Sequence, residues 1–331
     1  MQKIGLLVGR EWSFPPALIG EIARRDAGVT AELLKLGGTR MDEPVAYAVI
    51  IDRISHEVPY YRSFLKHALL QNVAVVNNPF MWSADDKFFG AALITKLGIA
   101  TPRTMALPNK DYPPDLVLAE SLRNLVYPLD WEGIADYVGM PCVLKVAHGS
   151  GWKDGPVCHT VDELIRHYNT AGRITMVVQE HIQWERFVRC ICIGQNEILP
   201  LNYDPRERKY QVEQDQLDAA TLTRIIDDSR RIVRALDYDM NAIEWAIRDG
   251  VAYAVDFMNP APDLELESLT PHYFDWAVQR MADLSIRLAH SPRLPRVQFP
   301  DGASEARSRV LRSKSVGIAA GTAAEGKSKP E

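Results

Sequence analysis

Residues 241–263, NAIEWAIRDGVAYAVDFMNPAPD, decide how this chain is read. Asp249-Gly250 marks a hairpin turn, and the residues on either side alternate in character. Ile243, Trp245, Ile247, Val251, Tyr253, Val255 and Phe257 are large and apolar, while the positions between them hold alanines, Met258 and two carboxylates, Glu244 and Asp256. Side chains alternate across a strand, so one face of this hairpin packs a core. A three-residue loop, Arg248-Asp249-Gly250, keeps odd positions opposite odd ones, as a type I turn plus bulge with Gly250 left-handed. In that register Glu244 opposes Ala254 and Asp256 opposes Ala242, so the two carboxylates sit diagonally on one face, roughly 7–8 Å apart at Cα. A solvated sheet face carries Lys, Thr, Arg and Glu. A floor of alanines with two acids predicts instead that something flat covers this face, through metal or nucleotide binding.

The rest of the chain bounds what that ligand is. The 331 residues are 47% hydrophobic and 24% charged, an ordinary composition for a soluble chain of two or three domains. Net charge is -5 and pI about 5.9, which gives no support to nucleic acid as a partner. No apolar run approaches 18 residues, and MQKIGLLVGREW reads as a first strand, so a cytoplasmic protein without membrane contact is expected. Cys142, Cys158, Cys190 and Cys192 form no C-x-x-C pair and read as buried reduced thiols, with no zinc site.

Strands at 3–8, 46–51 and 73–76, with helices at 15–25 and up to about 70, predict a small, largely parallel α/β unit. A helix follows to about Leu97, with Ser83 as N-cap, Asp86 in the capping-box position and Gly98 as C′. Strands are expected at 142–147, 176–182, 186–194 and 197–203, helices opened by Thr160 and over 218–236, then the hairpin, then a helix at 271–290. From Ser291 onward eight Lys/Arg face four acids in a Gly/Ala/Ser/Lys-rich stretch, read as a disordered tail.

Three sites interrupt apolar strands with charge or glycine. Lys145 stands in PCVLKVAHGSGWKDGP (141–156), surrounded by glycines that miss the Walker spacing, because Trp152 separates Gly151 from Lys153 and Asp154 replaces Ser or Thr. A buried lysine needs an anion. Arg189 lies between Val188 and Cys190, where a phosphate, a substrate carboxylate or a structural salt bridge would each serve. Lys87 sits in the first turn of a helix, where a cation opposes the dipole.

In order, NNP (77–79) with Asp86-Lys87, the strand lysine and Gly149–Gly155, VVQEHI (177–182), Arg189 before CICIG, and Glu244, Asp256 and Asn259-Pro260 resemble the ATP-grasp superfamily. The resemblance spans about residues 1–290 and is nearest to RimK-like glutamate ligases and glutathione synthetases. It implies an α/β (α+β) fold in three parts: an N-terminal pre-ATP-grasp α/β domain (1–80), a small antiparallel lid (about 105–180) and an antiparallel catalytic sheet (about 181–290), the last two forming an ATP-grasp domain over 81–290. It also implies that the glycine-rich segment, with Gly149, Ser150 and Gly151, is a mobile loop folding over ATP phosphates that Lys87 and Lys145 also reach. Gln179, Glu180, His181 and Ile182 become the adenine side, with Glu180 or Glu185 on the ribose. Glu244, Asp256 and Asn259 become ligands to Mg²⁺, with Mn²⁺ as a substitute, and Arg189 and Lys145 the catalytic cations.

One departure stands out. The family's E-x-N ending is here Asp256-Phe257-Met258-Asn259. Either a bulge turns Asn259 to the metal, or Met258 takes the place of the amide and weakens the second metal; Asp263 is a candidate to compensate. The implied activity is ligation of a carboxylate to an amine, on a small substrate or a peptide terminus, through an acylphosphate. An ATP-grasp kinase acting on a hydroxyl and a non-catalytic ATP-binding regulator are the alternatives. Arg206, Arg208 and Lys209 are candidates to face the transferred phosphoryl group, His148 and His159 minor proton carriers, and Arg10, Glu11 and Trp12 part of acceptor binding. A homo-oligomer is compatible with all of this.

Overall fold

Short Val/Ile/Leu runs build a first sheet, as continuous apolar strands do when both faces are covered. β1 (Gln2–Leu7), α1 (Phe14–Arg24), β2 (Val29–Leu33), β3 (Val49–Asp52), α2 (Pro59–Leu70) and β4 (Ala74–Val76) form it, in the order β2-β1-β3-β4, all parallel. This is a computed structural model, and it describes residues 1–82, 86–116, 118–148, 155–207, 209–211 and 217–293. β2 was not expected. Only Val29 of its five residues is buried, and Thr30 and Glu32 make it a polar edge without a clear period.

α3 (Pro79–Trp82) and α4 (Lys87–Lys96) follow. The cap of α4 is Asp86, whose carboxylate accepts from the Phe89 N–H at 2.5 Å. Ser83, expected in that role, lies outside the described residues. Gly98 closes the helix at φ +71°.

The second sheet is antiparallel, in the order β5-β8-β6-β7. It comprises β5 (Thr104–Leu107), α5 (Leu118–Ser121), α6 (Trp131–Val138), β6 (Cys142–Val146), β7 (Val157–Cys158), α7 (Val161–Asn169) and β8 (Met176–Glu180). Its own core joins Leu144 and Val178 to Ile134 and Val138 of α6 and Leu164 and Tyr168 of α7.

The third sheet runs β11-β10-β9-β12-β13, also antiparallel. Its elements are β9 (Arg186–Ile193), β10 (Glu197–Asp204), β11 (Lys209–Tyr210), α8 (Ala219–Leu236), β12 (Met240–Arg248), β13 (Val251–Asn259) and α9 (Leu266–His290). β9 is buried on both sides. Val188, Cys190 and Cys192 pack with Ile225, Ile232 and Val233 of α8. Ile191 and Ile193 pack with α9 and with Ile4, Leu18 and Ile22 of the first sheet. On that second face the α9 core ends at Ile191 and Ala242, and Arg189 and Glu244 begin where it stops. α9 starts five residues before the expected 271 and kinks at Thr270 (φ +64°), because Pro271 supplies no N–H.

Buried polar side chains tie the first sheet to the third. Asn77 accepts from the N–H groups of Asp239 (2.6 Å) and Met240 (2.8 Å) and donates to the carbonyls of Met240 (2.7 Å) and Pro260 (3.0 Å). That exhausts the capacity of a carboxamide. Glu265 accepts from the N–H groups of Trp12, Ser13 and Phe14 at the start of α1. Among the described residues no helix is long and apolar enough to cross a membrane.

Arg293, placed in the tail by the sequence, is anchored: its guanidinium bonds both oxygens of Asp239 (3.0 and 2.9 Å) and reaches Asp237 at 3.1 Å. Burial nonetheless pushes Asp239 up to about 6, with Arg293 opposing and Asp237 adding to the rise. The folded state therefore binds this proton more tightly than the unfolded chain. The resulting stability is present below the ordinary value of 3.8 and is lost as pH rises through about 6. Asp239→Asn removes it. In urea melts the stability difference, variant minus wild type, is expected to move in the variant's favour between about pH 4 and about pH 7. A flat difference would show that Asp239 does not titrate there. The remaining tail lies outside the described residues.

Candidate functional site

The hairpin closes differently from the expectation. Asp249 (φ +51°) and Gly250 (φ +72°) form a two-residue turn with both central residues left-handed, the type I′ geometry that Asp-Gly favours. Arg248 pairs with Val251, Ile247 with Ala252 and Trp245 with Ala254, so odd opposes even. Ala252 and Ala254 thus share the α8 core with Trp245 and Ile247. Tyr253 and Val255, not alanines, share the opposite face with Ala246, next to Phe187 and Tyr203.

Two register slips then realign the strands. Glu244 faces Asp256 directly, and Ala242 faces Asn259. The diagonal arrangement is corrected: the carboxylates are cross-strand partners. The side chain of fully buried Asn241 explains how the slip is held. It donates to the Phe257 carbonyl (2.8 Å) and accepts from the Asn259 N–H (2.9 Å), supplying bonds that the slip takes from the ladder. The bulge therefore brings Asn259 to the Glu244 side despite the D-x-x-N spacing. Met258 goes elsewhere, into α4, where a Cβ on Gly90 would meet its sulfur at 2.8 Å. Asp263 accepts from the Glu265 N–H (2.9 Å) and the Ser268 hydroxyl (2.5 Å) at the start of α9.

Glu244 is also level with Arg189 on β9, their side chains 3.6 Å apart and both buried. The sheet thus carries a row across four strands: Leu201, Arg189, Glu244 and Asp256. The Arg189 guanidinium lies 5.1 Å from the Tyr203 ring and 6.0 Å from that of Tyr210. Burial works against its charge, but Tyr210, Glu244, Tyr203 and Asp256 together raise its pKa. No group of three His, Cys, Asp or Glu among the described residues could hold a metal by itself. Two carboxylates and an amide nevertheless suit Mg²⁺, which takes one or two carboxylates and fills its shell with phosphate and water.

The lid contributes from β6 and β8. Lys145 is half-buried rather than buried, and donates to Gln179 Oε1 at 2.8 Å; Gln179 donates in turn to Thr104 Oγ1 at 2.9 Å. Gln179, expected at the nucleotide, thus holds Lys145. The Lys87 N–H donates to the Ala147 carbonyl (2.9 Å), which joins α4 to the root of the glycine-rich loop. Gly149, Ser150 and Gly151, with 152–154, lie outside the described residues. At the loop's exit only glycine fits: a Cβ on Gly155 would lie 1.6 Å from the Leu144 carbonyl oxygen.

On the segment expected at the adenine side, the Glu180 N–H is bonded to the Arg103 carbonyl (2.9 Å) and that of His181 to the Pro141 carbonyl (3.3 Å). The Glu180 carboxylate accepts from Arg103 (3.1 Å) and Arg248 (3.4 Å). Exposed Glu185 is the better candidate for a ribose. Ile182 is buried against Phe187 and Tyr203. Burial lowers the His181 pKa, and His159 and Lys145 lower it further. Glu11 is bonded to buried Arg53, Trp12 is 84% exposed, and Arg206 stacks 5.3 Å from the Trp184 ring. Lys209 is exposed on β11, and Arg208 lies outside the described residues. Asn241, Arg103, Arg248 and the aromatic row were missed. Only Asn241, polar at the head of an apolar strand, carried a readable signal.

No protein-family model and no curated protein matches this chain. Solved structures do. A RimK domain ATP-grasp protein from Sphaerobacter thermophilus is 18% identical, with TM-score 0.62 over 86% of this chain and 99% of its own. D-alanine–D-alanine ligase from Bacillus anthracis is 17% identical, with TM-score 0.61 over 88% and 100%; its complex with ATP also matches, at 0.59. The macrocyclase MdnC of Microcystis aeruginosa, bound with precursor peptide MdnA, is 15% identical, with TM-score 0.55 over 87% and 100%. With a parallel sheet, an antiparallel lid and an antiparallel sheet bearing the acid pair, the chain has the ATP-grasp fold.

Proposed function

We propose that this protein is a Mg²⁺-dependent carboxylate–amine ligase that forms an amide or peptide bond at the expense of ATP. The observation that carries this reading is the Arg189–Glu244–Asp256 row, buried at Arg189 and Glu244, with Asn259 brought to it by the bulge. Glu244, Asp256 and Asn259 hold the metal, which when bound offsets charge on the ATP phosphates. Arg189 stands beside them to stabilise negative charge on the phosphoryl group as it passes to a substrate carboxylate. Lys145, aimed by Gln179, and Lys87, at the root of the loop, neutralise the remaining phosphate oxygens. The acylphosphate is then attacked by the acceptor amine, releasing phosphate. Positioning and exclusion of water do most of the work, and little proton transfer by the protein is needed. The aromatic face of Phe187, Tyr203 and Tyr253 beside the row gives the carboxylate substrate an apolar wall. The neighbouring complex with a precursor peptide favours testing peptide termini alongside small amino acids.

A thermal melt with ATP tests the site, and ADP release over a panel of carboxylates and amines tests the reaction. ATP at saturation should raise Tm by several degrees only when Mg²⁺ is present. Lys145→Ala should bind ATP about 10–100-fold more weakly, the worth of one charge-assisted bond. ADP release with a hydroxyl acceptor and no amide product would indicate a kinase. Mg²⁺-independent binding without turnover would indicate the non-catalytic form. No ATP response at all would refute the nucleotide site.

A further inference from the structure

Cys142 and Cys158 are opposite one another on β6 and β7, both fully buried, with Lys145 three residues along β6 from Cys142. The bond from the Leu144 N–H to the Pro156 carbonyl (3.2 Å) marks 144 and 156 as a hydrogen-bonded pair of the ladder. Two residues further along, 142 and 158 occupy the same kind of position, with Cα atoms about 5.5 Å apart. That separation falls inside the range a disulfide spans. The Cys158 thiol donates to the Pro156 carbonyl at 3.7 Å, within its own strand region. Cys190 and Cys192 differ. They stand two apart on one strand, with Cα atoms about 6.8 Å from each other at the far limit of that range, and lie fully buried in the α8 core.

We infer that Cys142 and Cys158 form a reversible disulfide across the lid when the protein meets a small-molecule disulfide. The Cys158 thiolate attacks the small disulfide, forming a mixed disulfide and releasing one thiol. The Cys142 thiolate then attacks the Cys158 sulfur, closing the protein S–S bond and releasing the second. Two protons from the protein thiols end on the released thiols, and the two electrons reduce the small disulfide. β7 has only two residues and is the outer strand of its sheet, so a short local opening exposes Cys158. Burial pushes the Cys142 thiol up to about 12, so little thiolate forms until β7 opens. The bridge ties β7 to β6 three residues from Lys145.

The full chain is incubated with oxidised glutathione, both native and on dilution from urea into a glutathione redox buffer, which removes any barrier of access. Thiols are then counted under denaturing conditions, and peptides are mapped. The expected result is a fall from four thiols to two, a 142–158 link, recovery of all four with dithiothreitol, and a Tm rise of several degrees in the bridged form. Cys190→Ala keeps the link and Cys142→Ala loses it. Four thiols under both regimes, a stable glutathione adduct in place of the bridge, or a link that maps to Cys190 or Cys192 would overturn the inference. The readout is independent of nucleotide binding.

Discussion

Arg189→Met is expected to abolish ADP release and to lower stability by about 3–5 kcal/mol in urea unfolding, the usual cost of leaving a buried charge without its partner. The partner is Glu244, 3.6 Å away and equally buried, and neither side chain reaches water easily. Loss of stability alone would not separate a structural ion pair from a catalytic one. The double variant Arg189→Met/Glu244→Leu does. With both charges gone, an apolar pair of similar volume should recover most of the stability. Activity should not return, since the row then lacks both a metal carboxylate and the cation that faces the phosphoryl group. A double variant that folds and still releases ADP would reduce this pair to scaffolding.

Asn241→Leu should cost about 2–4 kcal/mol, because it strands a backbone carbonyl at Phe257 and an N–H at Asn259, each worth about 1–3 kcal/mol when buried without a partner. The larger consequence is geometric. Without the asparagine the second slip, between Glu244 and Ala242, has reason to close, which leaves Asp256 opposite Glu244 but turns Asn259 to the other face. The Mg²⁺ requirement for ATP binding should then weaken by an order of magnitude or more, measured as the shift in Mg²⁺ concentration at half-maximal Tm rise. A variant with lowered stability but unchanged Mg²⁺ dependence would show that Asn259 is not a ligand.

Much of this protein was legible from residue pattern. The apolar runs of the first sheet, the strand lysine before a glycine-rich segment, the strand arginine and the acid–acid–asparagine hairpin all stand in sequence, and their order pointed to the fold. Such signals are local: strand periodicity, caps and turn residues act over a few positions. The sequence by itself therefore determined the strongly apolar strands, though not β2, β5, β7 or β11, and which residues carry charge in them. Only the tertiary structure decided what those charges face. The type I′ turn overturned the parity of the hairpin, moved Ala252 and Ala254 into the core, and left Tyr253 and Val255 on the site. The second slip, which brings Asn259 opposite Ala242, rests on Asn241, which reaches across to backbone groups on β13. Gln179 was diverted to Lys145, and Asp263 to a helix start, by hydrogen bonds between segments distant in the chain or in a neighbouring turn. The physical reason is common to all four. A slip of one residue leaves composition and periodicity unchanged but exchanges the faces of every side chain beyond it, and what selects the slip is a hydrogen-bond partner that the pattern of one strand does not contain.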